Sequence, residues 1–193
     1  MSKGSAGRLA AGAAAVVILA GTGVAAGAGA AAAAPAAPAS KSHTVNYSCK
    51  VPILGTKTVP TTLTLSAPAK ATAGKTVKLK ISFAPSGLPS VTITNVTIKS
   101  TLTESGAQKG SVTVKAFLKS ANSGTVKATL SGSVKLTKTG KVNITPGKTA
   151  SFSLTNSILG KATINCTATS KRLPVLGTIS VAKAGKARAA RLG

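Results

Sequence analysis

Hydrophobic and polar residues alternate with a period of two along most of the chain after residue 43. The segment 76–84 (TVKLKISFA) shows the pattern best, because its large apolar residues and its lysines occupy opposite sets of alternate positions. Successive side chains of a β-strand point to opposite faces, so one face of such a strand is buried and the other is solvated. Valine, isoleucine and threonine dominate these segments, and a sustained spacing of three to four never occurs. The sequence therefore predicts an all-β protein.

Short clusters of glycine, proline, serine and asparagine separate the alternating segments at the intervals typical of a sandwich or barrel. These intervals indicate about eight or nine strands. In the segment 91–102 the apolar parity changes between Ile93 and Val96, which predicts a β-bulge near Thr94 and Asn95. No polar stretch is long enough for an interdomain linker, so a single antiparallel β-sandwich is expected over residues 40–181.

The same alternation predicts which side chains of the later strands point inward. These positions are Val112, Val114, Ala116, Leu118, Val126, Ala128, Leu130, Val134 and Leu136. Phe117 alternates against this row, so it is expected to face solvent or a second layer.

Residues 1–39 have the pattern of a secretory signal peptide. Lys3 and Arg8 supply the positive start, and the apolar segment 9–20 is too short and too rich in glycine and alanine for a membrane span. Cleavage would leave about 154 residues, enough for one domain with a real core. No membrane span is expected after cleavage, so the protein is predicted to be secreted, either extracellular or loosely associated with the cell wall. The basic segment 182–193 is expected to be a disordered tail.

The chain has two cysteines, Cys49 and Cys166, near the two ends of the expected domain. Disulfides form in the oxidising compartments that exported proteins reach. One disulfide is therefore predicted; the alternative is a pair of unpaired buried thiols.

Charge is the most unusual feature of the composition. Cleavage of the signal peptide would remove Lys3 and Arg8. The remaining chain would then have 23 basic residues and one acidic residue, Glu104, for a net charge of +22. A surface of this kind attracts polyanions. The candidate polyanion-binding residues lie on predicted solvated strand faces, at strand ends and in the tail: Lys78, Lys80, Lys115, Lys119, Lys127, Lys135, Lys138, Lys141, Lys183, Lys186, Arg188 and Arg191. The alternative is that these lysines only solvate the strands.

Two parts of the chain carry a family resemblance. Residues 47–55 (YSCKVPILG), followed by 63–68 (LTLSAP), resemble the opening of a family of secreted actinobacterial proteins, and 142–147 (VNITPG), ahead of Cys166, is similar to its closing strands. The similarity spans most of residues 44–169, and this chain is far richer in lysine than the family pattern. The resemblance implies an immunoglobulin-like sandwich of unknown function, with no catalytic residue to transfer.

The composition also excludes several kinds of chemistry. The expected mature chain has one carboxylate side chain, one histidine, one tyrosine and no tryptophan. Paired carboxylates for acid–base work and carboxylate-rich metal sites therefore cannot form within a monomer. A serine triad lacks its aspartate, with only Glu104 to orient His43. We expect no catalytic activity, no metal site and no cofactor, although counting residues does not eliminate a serine, threonine or lysine nucleophile.

Two functional hypotheses follow from the sequence. The first is a secreted non-catalytic protein that associates with anionic cell-envelope polymers such as teichoic acid. Nonspecific contact with nucleic acid is compatible with the charge, although the chain has few aromatic residues on which bases could stack. The second is an extracellular adhesion or assembly module that binds another protein, with the positive charge serving solubility.

Overall fold

The computed structural model describes residues 41–52, 54–156 and 160–185. The predicted signal peptide, 1–39, and the tail residues Lys186, Arg188 and Arg191 lie outside the described residues. The strands are β1 (Ser42–Val51), β2 (Gly55–Ser66), β3 (Lys70–Thr72), β4 (Thr76–Pro85), β5 (Thr92–Gly106), β6 (Gly110–Asn122), β7 (Ala128–Lys135), β8 (Gly140–Asn156), β9 (Gly160–Ala168) and β10 (Gly177–Ala182), with one short 3₁₀ turn at Ser123–Thr125. The described residues are therefore all-β, as predicted.

All ten strands belong to one hydrogen-bonded sheet, in the order β3-β10-β8-β5-β6-β7-β4-β2-β1-β9. Because β9 also pairs with β8, the eight strands from β8 to β9 form a closed ring, and β10 and β3 extend from β8. Neighbours are antiparallel except β10 and β3, which are parallel. The sequence predicted two stacked sheets of eight or nine antiparallel strands in total. The alternation reports the two faces of each strand, but it does not report which strands share hydrogen bonds.

Two short ladders join the ring into one sheet. The pair β6–β7 meets at a single residue pair, Lys115 and Ser131. The pair β1–β9 spans four residue pairs, from Tyr47 with Ala168 to Lys50 with Asn165. Strands β1, β2, β4 and β7 form one half of the ring, and β6, β5, β8 and β9 form the other half. The two halves are therefore joined at two narrow places.

Strand β8 changes partners along its length. Its first part pairs with β10, and its second part, from Thr149, pairs with β9. Against β5 the register shifts between Ser100 and Leu102, where β8 has extra residues around Gly147. A side chain at position 147 would overlap the carbonyl group of Thr101, so only glycine allows the two strands to approach this closely. The bulge separates the part of β8 that pairs with β10 from the part that pairs with β9.

The core consists of the inward rows that the alternation predicted. Val114, Leu130 and Leu136 are fully buried, and Phe83 packs against Phe152 with ring centroids 5.5 Å apart. Ala116 and Leu118 are partly buried, because they lie where β6 separates from β7. Phe117 is 64% exposed, which confirms that it points away from the core row.

The predicted bulge in β5 is also confirmed. The register against β8 shifts between Thr94 and Thr97, and Asn95 has a φ of 51°. Ile93 and Val96 are both buried as a result. Asparagine tolerates this left-handed conformation better than most residues.

Tyr47, the one tyrosine of the chain, lies on β1 with its side chain in the core. It is 2% exposed, and its hydroxyl donates a hydrogen bond to the carbonyl oxygen of Gly147 at 3.4 Å. Desolvation by burial raises the pKa of Tyr47 from 10.0 to about 12. Burial disfavours the charged phenolate, so the folded state holds this proton more tightly than the unfolded state does.

This shift predicts a loss of stability at alkaline pH. Below pH 10 both states hold the proton and the stabilisation is complete; between pH 10 and about 12 only the folded state holds it. The free energy of unfolding should then fall by about 1.4 kcal/mol per pH unit in that window. Urea unfolding of wild type and Tyr47→Phe from pH 8 to 12 measures this, since the variant differs from wild type only in the phenol hydroxyl. Parallel curves for the two proteins would contradict the prediction.

Candidate functional site

The two cysteines form the predicted disulfide. Cys49 and Cys166 are directly opposite each other in the β1–β9 ladder, with Cα atoms 4.0 Å apart, and both are buried. The bond therefore lies in the four-pair ladder that closes the ring. No unpaired thiol occurs in the described part of the chain.

The candidate lysines are exposed wherever the structure describes them. This group comprises Lys78, Lys80, Lys115, Lys119, Lys127, Lys135, Lys138, Lys141 and Lys183. Those on strands occupy positions that alternate with buried core residues, as Lys78 and Lys80 do in β4. The alternation of the sequence thus places the positive charge on the outside of the ring, but exposure by itself does not identify a binding site.

The strand register adds an arrangement that the sequence analysis missed. Lys99 on β5 is directly opposite Lys115 on β6. On the other side of Lys115 the cross-strand row continues through Ser131 to Lys80, and on the other side of Lys99 it continues through Ser151 and Asn165 to Lys50. We call these four lysines, Lys80, Lys115, Lys99 and Lys50, the lysine row.

Lys99 was not among the predicted site residues. The sequence did contain a clue to this pair, namely the turn near residue 107. Residues 99 and 115 are each eight positions from residue 107, so a hairpin centred there places them opposite each other. The predicted bulge at Thr94 and Asn95 does not affect this pair, because it lies farther from the turn than Lys99 and the β5–β6 register is continuous past it.

A shallow depression of about 380 Å³ lies beside Lys99 on the outer side of β5, β8 and β9. Hydroxyl-bearing residues line most of it: Ser100, Thr101, Thr113, Thr149, Ser151 and Thr167. Lys99, Ala150, Asn165 and Cys166 complete the lining. The depression lies where β8 bulges away from β5, between Ser100 and Leu102.

The single acidic residue of the chain, Glu104, is buried, whereas the lysines described above are exposed. Glu104 is 4% exposed, and its Oε2 accepts a hydrogen bond from Nε2 of Gln108 at 2.6 Å. Gln108 also donates to the carbonyl oxygen of Lys135 and accepts from the backbone N–H of Thr137. The buried carboxylate therefore belongs to a hydrogen-bond network that ties the β5–β6 turn to the end of β7.

His43 lies at the start of β1 beside a second depression, of about 440 Å³, which Arg172 also lines. Its Nε2 is buried and has no hydrogen-bond partner among the described residues. Glu104, the residue that could have oriented it, is bonded to Gln108 instead. Over residues 41–52, 54–156 and 160–185 there is no group of three or more histidine, cysteine or acidic residues that could hold a metal ion.

Together these features define a disulfide-linked all-β protein with a strongly cationic outer surface. No family model matches the chain, and no curated protein or solved structure matches it significantly. In the part of the chain that the structure describes, no helix has the length and hydropathy that crossing a membrane requires.

Proposed function

We propose that this is a secreted, non-catalytic protein that associates with anionic polymers of the cell envelope, such as teichoic acid. The observation that carries the proposal is the direct opposition of Lys99 and Lys115. Like charges directly opposite each other on neighbouring strands destabilise a sheet. The one carboxylate that could relieve this repulsion, Glu104, is buried. A bound polyanion would relieve it.

The rest of the surface supports the same conclusion. The other lysines of the described residues are exposed as well, so a flexible polyanion meets positive charge on both halves of the ring. Each neutralised charge on the polymer releases a condensed counterion, which makes such binding strong at low salt and weak at high salt. Lys183 continues the positive surface beyond β10.

The compartment and the family belong to the same proposal. The disulfide suits a protein that folds outside the reducing cytosol. The two halves of the ring, joined by the one-pair and four-pair ladders, would correspond to the two layers of the immunoglobulin-like sandwich of the secreted actinobacterial family. The ladders that join them would then be the corners of the sandwich.

A nucleic acid could also satisfy the lysines through its phosphates. Base recognition in single strands uses exposed aromatic side chains. Phe117 is the one aromatic residue that is largely exposed in the described part of the chain. Contact with nucleic acid would therefore be electrostatic and independent of sequence.

Phe117 is also the observation that favours the second candidate, an adhesion or assembly module. It is 64% exposed and shares the outer face of β6 with Lys115 and Lys119. An exposed aromatic residue of this kind can anchor a protein partner. Association through such an anchor would persist at high salt, because burial of apolar surface does not depend on counterions.

Cosedimentation with Gram-positive cell walls tests the proposal. The chain from residue 40 onward should sediment with intact walls at 50 mM salt and lose nearly all binding at 500 mM. Walls stripped of teichoic acid should bind little at either concentration. Binding that survives both treatments would contradict the proposal and support the protein-binding module.

A further inference from the structure

We propose that the hydroxyl-lined depression beside Lys99 and Lys115 is a site for a phosphate group of the polymer. This inference rests on the proposed function and adds to it a location and a ligand chemistry. The lysines of the rest of the surface would attract any polyanion, whereas this site would distinguish phosphate from carboxylate.

The bulge of β8 creates the room for a ligand. Between Ser100 and Leu102 of β5, the paired residues of β8 pass from Ala150 to Pro146, so β8 has two residues more than β5 in this interval. Gly147 closes tightly onto the backbone of Thr101. The depression lies beside this bulge, with Thr101 on one side and Thr149 on the other. Bulges of this kind are found next to functional sites more often than elsewhere in sheets.

The lining is suited to phosphate. Lys99 lines the depression itself, and Lys115 is its direct neighbour on β6, two residues from the lining residue Thr113. Each phosphodiester of such a polymer has four oxygens around a tetrahedral phosphorus, of which the two non-bridging oxygens carry the charge and are strong acceptors, so the acceptors do not lie in one plane. Two ammonium groups and the hydroxyls of Thr101 and Thr113 can therefore share one phosphate. A carboxylate holds both of its oxygens in one plane, so donors that lie on two different strands are less well placed to bind it together.

The lysine row gives the polymer a path beyond the site. Lys80 lies two strands from Lys115 through Ser131, and Lys50 lies three strands from Lys99. Neighbouring strands are about 4.8 Å apart, so the distance round the ring from Lys99 to Lys50 is about 14 Å. Successive anionic groups of a chain that enters the depression would thus meet further positive charge on both sides.

The inference is tested by comparing the affinity of the protein for two polyanions, one that carries phosphate groups and one that carries carboxylate groups. Poly(glycerol phosphate) and poly-glutamate of equal charge number are titrated against wild type, Lys99→Gln/Lys115→Gln, and the control Lys127→Gln/Lys138→Gln, which removes the same charge from other exposed positions. The first variant should lose affinity for poly(glycerol phosphate) by about tenfold or more relative to the control, the effect of losing charge-assisted hydrogen bonds. Both variants should lose affinity for poly-glutamate equally.

A second pair of variants leaves the net charge unchanged. Thr113→Val removes a lining hydroxyl, and Thr129→Val removes an exposed hydroxyl on β7. The first should weaken binding of poly(glycerol phosphate) by a few-fold and the second should not. Equal losses for the lysine pairs on poly(glycerol phosphate), or no effect of Thr113→Val, would overturn the phosphate site and leave the proposed function standing. Failure of wild type to bind either polymer would overturn both.

Discussion

Replacement of Cys49 and Cys166 by alanine is expected to lower the free energy of unfolding by about 4 kcal/mol and the melting temperature by about 10 °C. The bond closes a loop of 117 positions, and the entropy that it removes from the unfolded chain grows with the length of that loop. It also holds the β1–β9 ladder, which has only four residue pairs. The loss should therefore appear as lower stability together with local opening between β1 and β9.

Urea unfolding of wild type, the double alanine variant and reduced wild type measures this effect. Alanine is preferred to serine because both positions are buried, and a buried hydroxyl without a partner would add its own cost. In the double alanine variant, amide hydrogen exchange should be faster in β1 and β9 than in β5 and β6. The reason is that the β5–β6 ladder is much longer than the four-pair β1–β9 ladder. A loss below about 1 kcal/mol would show that the ring closes without the bond.

The second large effect concerns binding. Reversal of four lysines on the β4–β7 half of the ring, none of which lines the proposed phosphate site, should weaken binding to teichoic-acid-containing walls by about a hundredfold at low salt. The positions are Lys78, Lys80, Lys127 and Lys135, each replaced by glutamate. Losing four such contacts should reduce the slope of log K against log salt by about 3, since each contact contributes about 0.7 on a single-stranded polyanion.

The matched control replaces the same four lysines by arginine, which keeps the charge and the exposed position. This control should bind as wild type does. The melting temperature of the glutamate variant should not fall, because the substitutions reduce the repulsion within a strongly cationic protein. Unchanged affinity and slope in the glutamate variant would show that these lysines only solvate their strands.

Several features of the fold could be predicted because they depend on one strand at a time. The inward positions of β4, β6 and β7, the outward position of Phe117, and the exposure of the lysines all follow from alternation with a period of two. The bulge at Asn95 could be predicted for the same reason, since the change of apolar parity between Ile93 and Val96 is visible within one segment. Prediction of the disulfide needed only the two cysteines and the expectation that the chain is exported.

Features that depend on the pairing of distant segments could not be predicted. The closed ring requires β9 to pair with both β1 and β8, and no periodicity within β9 reports this. The parallel pair β3–β10 and the ten strands found over the described residues belong to the same class of unpredicted features. Hydrogen bonds between strands join backbone groups that every residue carries, so side-chain patterns constrain them weakly.

The amino-acid sequence by itself determined that the described part of this protein is built from strands, that the lysines of these strands face outward, and that its two cysteines are paired, because these properties follow from local alternation and from composition. Only the tertiary structure decided that Lys99 lies opposite Lys115 and that the β8 bulge leaves a hydroxyl-lined depression beside them. The physical reason is register. A shift of one residue between neighbouring strands changes which side chains meet, and the balance of all the ladders in the ring sets that register.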